Sequence, residues 1–164
     1  MKIKKITIIP ILAVIIMLSS IIKLPSVFLG AEFQMSAPIS VFIAMLFGPQ
    51  IYIIAGVLAS FLSFSLGISN IYGIIVVLVF RFGVITFIWI VKNKNICLIF
   101  SGAFGSILSR IVLSNLLGVS FISLIIPALP GMILTGIFAR LLYEKLHLIL
   151  NNYIKLEEIS WSTV

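Results

Sequence analysis

The 164 residues are 62% hydrophobic and only 9% charged, with a net charge of +7 and a mean hydropathy of +1.36. A soluble domain would carry roughly 25% charged residues, so composition excludes that class and points to an integral membrane protein. The positive balance does not indicate nucleic acid either, because the basic residues flank apolar tracts instead of forming a stripe interleaved with aromatics. The single cysteine, Cys97, excludes an internal disulfide and reads as a small apolar residue facing core or lipid.

In chain order, Lys2, Lys4 and Lys5 precede an apolar run from Ile6 to Ile22. The run ends in Ser19-Ser20 followed by bulky Ile21-Ile22, which is no cleavage site, so it predicts a retained first helix with Pro10 in its first turns. A polar break follows from Lys23 to Ser36. The next apolar stretch, Ala37 to Phe47, is about 16 Å long as a helix, too short to cross roughly 30 Å of hydrocarbon unless it starts near Ala31 or dips and returns. Gly48-Pro49-Gln50 predicts a tight turn. Helices are then expected over Ile51–Leu66, Ile71–Val91, Ile96–Leu117 and from Phe121 to about Leu148, the last disturbed by Pro127 and Pro130-Gly131. The expectation is an all-α membrane protein, a compact bundle of about six transmembrane helices in one domain over residues 1–149. Residues 150–164 would form a short polar cytoplasmic tail.

Lysine and arginine bias sets the orientation. Six spans put Lys2, Lys4, Lys5, Lys92, Lys94, Arg140, Lys145 and Lys155 on one side and only Lys23 on the other, so both termini are expected in the cytoplasm. Small residues recur at spacing four: Ala55 and Ala59 with Gly56 and Ser60 in the third helix, and Ser101, Gly105 and Ser109 in the fifth. Such pairs let helices approach closely where lipid supplies no hydrophobic drive. They serve either packing within the bundle or docking of a separate membrane subunit.

Topology leaves two arginines unexplained. Arg81 lies at the centre of its span, about 15 Å deep, and Arg110 lies about 21 Å from the cytoplasmic end of its helix. An arginine at helix centre costs at least about 2.5 kcal/mol on insertion scales and usually faces a cavity or a partner. No carboxylate lies within a span to pair with either one, since the acidic residues are Glu32 in the outer loop and Glu144, Glu157 and Glu158 on the cytoplasmic side. An anionic ligand, or Glu32 folding inward, would supply the countercharge, and guanidinium suits carboxylate or phosphate. The arginines could instead bond backbone carbonyls freed near Gly83, Gly102 or Pro127, or snorkel to an interface. Gln34, Asn70, Tyr72, Ser114 and Asn115 belong to the outer layer, as ligand contacts or as caps and interfacial anchors.

Catalysis finds little support. No Asp or Glu falls within the membrane part of the spans, since Glu144 and the one histidine, His147, both lie at the cytoplasmic end of the last helix. Acid–base pairs, metal sites and proton-coupled transport therefore have no residues to use. No Gly-rich phosphate loop or Walker lysine is present, so ATP hydrolysis is not expected from this chain.

The stretch Pro38-Ile39-Ser40-Val41-Phe42-Ile43-Ala44-Met45-Leu46-Phe47-Gly48-Pro49, running into Ile54-Ala55-Gly56-Val57-Leu58-Ala59-Ser60, has a distinctive cadence of short helix, Gly-Pro turn and glycine-containing helix. With the basic N-terminus, the polar outer loop and Pro127-Ala128-Leu129-Pro130-Gly131, it resembles the substrate-binding S components of energy-coupling factor (ECF) transporters over about residues 5 to 148. The resemblance implies six helices in a bacterial plasma membrane, binding a vitamin or other small anionic micronutrient in the outward half. It also implies a T-type membrane subunit and two cytoplasmic ATPases as partners, membrane lipid around the bundle, and no catalysis or cofactor in this chain. Carried over by position, Arg110, Asn115, Asn70, Tyr72 and the loop with Glu32 and Gln34 fall near the ligand, with Arg81 beneath it. One departure concerns the partner interface: many members have an Ala-xxx-Ala pair on the first helix, where this chain has Ala13 followed by Met17. A non-transporting scaffold similar to the rod-shape morphogenesis membrane proteins is the alternative, and it would need no polar cavity.

Overall fold

The computed structural model describes residues 2–25 and 32–154. Helix α1 spans Lys2–Ile21. A short antiparallel pair follows, β1 (Lys23–Pro25) and β2 (Glu32–Gln34), with Lys23 opposite Gln34 and Pro25 opposite Glu32. Then come α2 (Ser36–Phe47), α3 (Pro49–Ser65), α4 (Ile71–Val91) and α5 (Lys94–Leu117). The last helical run is α6 (Phe121–Ile125), one 3₁₀ turn over Ile126–Ala128, and α7 (Leu129–Ile154).

Helix ends follow local chemistry. Asn70 caps α4 by accepting from the Gly73 amide at 2.7 Å, and Asn93 caps α5 by accepting from the amides of Asn95 and Ile96. Such caps satisfy amides that have no partner within the helix. Gly118 ends α5 in the left-handed region, φ 65°, where a side chain would be strained. Pro127 lies in the 3₁₀ turn, where the missing amide donor breaks the α-helical ladder.

Three features differ from the sequence expectation. Helix α1 starts at Lys2, so Pro10 lies in its interior and not its first turns. The polar break contains a strand pair: Phe33, a strand former, is placed opposite Leu24, and the Met35 amide extends the ladder to the Ile22 carbonyl. The last helix continues to Ile154, through part of the expected tail, because no Gly or Pro stops it there. Residues 155–164 of that tail lie outside the described residues. Helix α2, Ser36–Phe47, follows the expected apolar stretch to within one residue, and its 12 residues reach only about 18 Å.

Burial explains how so short a helix is accommodated. Pro38, Ser40, Val41, Phe42, Ile43, Ala44, Leu46 and Phe47 are all buried, so α2 is a central element wrapped by α1, α3, α5 and α7. A helix covered by protein on nearly all sides has no need to match the lipid thickness by itself. Around it, α4, α5 and the run Phe121–His147 are each long and apolar enough to cross a membrane, while Thr7–Ile21 and Pro49–Ser65 are shorter apolar helices. Their outward faces are greasy, as with Phe61, Ile133 and Ile90, the last 72% exposed. A soluble surface rarely carries such continuous apolar cover. The bundle is therefore that of a membrane protein.

Helix approach is set by small residues within the bundle. A Cβ on Gly83 would lie 2.8 Å from the Gly105 Cα, and one on Gly105 would lie 2.7 Å from the Phe80 carbonyl oxygen. Helices α4 and α5 thus touch backbone to backbone at this crossing. Gly136 brings α7 equally close to α5, since a Cβ there would lie 2.6 Å from the Ile99 carbonyl. Gly105, Ser101 and Ser109 are all buried, as are Ala55, Gly56, Ala59 and Ser60 on α3.

Candidate functional site

A cavity of about 620 Å³ opens among the helices at the end of the bundle away from both termini. Its walls come from the last turns of α1, the first turns of α2, the final half of α3, α4 from Gly73 to Arg81, α5 from Ser106 to Arg110, and the Ser123–Thr135 stretch. The volume lies in the range of sites that enclose small metabolites, roughly 300–1,000 Å³. Both intramembrane arginines line it.

Arg81 is 3% exposed. Its Nη1 donates to the Gly56 carbonyl and, at 2.6 Å, to Ser60 Oγ, both on α3. Gly56 permits this approach, because a Cβ there would fall 2.6 Å from Arg81 Cδ and Nε. The Tyr52 hydroxyl, fully buried, lies beside Ser40 and the same guanidinium without closing a hydrogen bond of its own. These partners are all uncharged, so the described residues solvate the positive charge of Arg81 without neutralising it. The acceptor is a carbonyl, as one sequence reading had it, but it belongs to Gly56 on another helix and not to the neighbourhood of Gly83, Gly102 or Pro127.

Arg110 is held differently. It is partly buried on α5, and its Nε is enclosed with no hydrogen-bond partner among the described residues. Arg81 Nε is in the same condition. Buried donors are ordinarily paired, so two enclosed guanidinium nitrogens without a partner among the described residues are a departure from the usual pattern.

Hydroxyls supply most of the remaining polarity: Ser36, Ser40, Ser60, Ser63, Ser106 and Ser109 line the cavity, with Ser20, Ser69, Ser123 and Thr135. Several donate into their own helix, as Ser20 does to the Met17 carbonyl, Ser109 to Ser106 and Thr135 to Gly131. A hydroxyl that spends its proton in this way keeps lone pairs for a ligand's N–H or O–H. The lining contains no Asp or Glu among the described residues. Glu144, which is described, pairs with Arg140 at 2.8 Å at the opposite end. The cavity is therefore cationic, hydroxyl-rich and suited to hold a small anion.

Of the other sequence candidates, Asn70, Tyr72 and Asn115 do not line the cavity. Asn70 is engaged as the α4 cap, and Tyr72 is 50% exposed and not part of the cavity wall. Asn115 is exposed near the end of α5, and Ser114 closes the following turn by donating to the Val119 carbonyl at 2.6 Å. Glu32 and Gln34 are on β2, and their side chains lie outside the described residues. Sequence reasoning missed Tyr52, Gly56 and the serine lining. The spacing of Gly56 and Ser60, one turn apart on the Arg81-facing side of α3, was a visible signal with another meaning attached.

No family model matches the chain, and no solved structure matches it. Among curated proteins, it is 36% identical over 129 residues to Protein BioX of Lysinibacillus sphaericus, an alignment covering 79% of this chain and 78% of the relative. Identity at that level over most of both chains specifies a shared fold, and the chain belongs to the BioX family.

Proposed function

We propose that this protein is the substrate-binding membrane subunit of an ECF-type importer for a vitamin or similarly small anionic micronutrient. The observation that carries the reading is a cavity of about 620 Å³ with two guanidiniums and no carboxylate among its described lining residues. A scaffold protein has no use for such a space, and dry packing around Arg81 and Arg110 would have favoured that alternative. The chain itself performs no chemistry in this reading. ATP hydrolysis comes from two cytoplasmic subunits, coupled through a T-type membrane subunit. Kinship with Protein BioX supports the class, and the relative's name puts biotin first among the vitamins to test.

The test is native mass spectrometry of the protein purified in mild detergent, with tagged pull-down from the source membrane. A bound small acid, and co-purification of a membrane subunit with two ATPases, are the expected results. Repeated absence of both would sink the importer reading.

A further inference from the structure

The two arginines of the cavity are held in different ways, and the difference assigns them different parts. We propose that Ser60 is a positioning residue. Together with the Gly56 carbonyl it fixes the Arg81 guanidinium before any ligand enters, so that Arg81 is the preset cation of the site and Arg110 the one that moves. This rests on the cavity being a ligand site, as read above, and it concerns how that site is readied for its occupant.

The hold on Arg81 is complete on one side. A terminal guanidinium nitrogen carries two hydrogens, and Nη1 spends both on α3, one on the Gly56 carbonyl and one on Ser60 Oγ. The stem is boxed in as well, because a Cβ on Gly56 would fall 2.6 Å from Cδ and Nε and 3.0 Å from Cζ. With Nη1 engaged and Nε enclosed, Nη2 is the terminal nitrogen that α3 does not occupy. Ser60 is also unlike other hydroxyls of the wall. Ser20, Ser109 and Thr135 donate to carbonyls of their own helices, whereas Ser60 Oγ accepts from a side chain 21 residues away. Its place one turn after Gly56 brings both acceptors to the same nitrogen.

Arg110 has no such seat. No hydrogen bond ties its head to another helix among the described residues, and its Nε is enclosed without a partner there. The contacts of Gly83 and Phe80 with Gly105 put residues 80–83 of α4 level with residue 105 of α5. Arg110 is then about 7 Å nearer the outer end of the bundle than Arg81, at 1.5 Å per residue. An entering molecule therefore reaches a free arginine first and a fixed one last. Ordering a long side chain during binding costs affinity, and for Arg81 that ordering is already done by folding.

The experiment uses the ligand-free, detergent-purified protein. The chain has three arginines, Arg81, Arg110 and Arg140, so NMR with isotope-labelled arginine gives three side-chain signals, assigned with Arg81→Lys, Arg110→Lys and Arg140→Lys. Slow rotation of the guanidinium head is expected for Arg81 and fast rotation for Arg110. Ser60→Ala should speed the Arg81 head at least about tenfold, as loss of one hydrogen bond to a charged group implies, and Ser60→Thr should keep it slow. Phenylglyoxal, a small neutral reagent for guanidinium, should label Arg110 and spare Arg81. Ser60→Ala should open Arg81 to the reagent while the Arg110 rate stays the same. If Ser60 only braces the bundle, Ser60→Ala will lower the unfolding midpoint and speed labelling of both arginines together, and the proposal is overturned. Equal head rotation of Arg81 and Arg110 in the unsubstituted protein overturns it too. If that equality is found while the membrane subunit and ATPases co-purify, the positioning role fails and the importer reading stands. If Ser60→Ala frees Arg81 alone but no such subunits co-purify, the importer reading fails and the division between the arginines stands.

Discussion

The two ends of the bundle are built from the same helices in opposite ways. Toward the termini, Phe42, Phe47, Ile51, Val84, Ile88, Leu98 and Tyr143 interlock into a continuous buried core. Toward the other end, the same helices α1, α3, α5 and α7 present serine, glycine and threonine, and the space the small side chains leave becomes the cavity. Tyr52 and Arg81 sit at the boundary, both fully or nearly fully buried. Large apolar side chains at one end hold the helices rigid, so that the other end can stay open and polar without collapsing. Stability and binding are thus assigned to different halves of the molecule, and substitutions should separate them.

The largest expected effect on stability is at the α4–α5 crossing. Gly105→Leu drives a side chain into the Phe80 carbonyl and should cost about 3 kcal/mol, read as a lowered unfolding midpoint in detergent. A near-neutral result would mean that the two backbones do not touch there. Next is Gly56→Ala, which displaces Arg81 from its α3 acceptors and should cost about 2 kcal/mol. Most of that penalty should vanish when Arg81→Gln is already present. A double-mutant cycle showing simple additivity would break the link between the two residues.

Asn70→Ala removes the α4 cap and should cost about 1 kcal/mol without altering ligand affinity. A change in affinity there would return Asn70 to the binding site. The smallest effect on the ligand-free protein belongs to Arg110→Gln, within about 0.5 kcal/mol, because no partner on the described protein is lost. The same substitution should weaken ligand binding strongly. Loss of stability in the ligand-free protein would show that Arg110 braces the bundle, and would blur the division between the two ends.

The sequence made the helices legible to within a few residues, because hydropathy in lipid is a one-dimensional property. Helix α4 runs over Ile71–Val91 as expected, and α3 and α5 each begin only two residues early. Arg81 and Arg110 also stood out, because charge within an apolar span is conspicuous. The strand pair after α1 was hidden by its three-residue strands, whose pairing is decided between segments. The close contacts of Gly83 and Gly136 were hidden too, since a glycine's meaning depends on which backbone lies opposite.

The sequence by itself determined that this is a helical membrane protein with two arginines inside apolar segments, since insertion acts on each segment separately. Only the tertiary structure decided that α2 is the buried centre, that Arg81 reaches across to Gly56 and Ser60, and that both arginines open on one cavity. Those outcomes depend on which helix faces meet. Contacts between residues 21 and 25 apart, such as Arg81 with Ser60 and Gly56, leave no periodic trace in a single sequence.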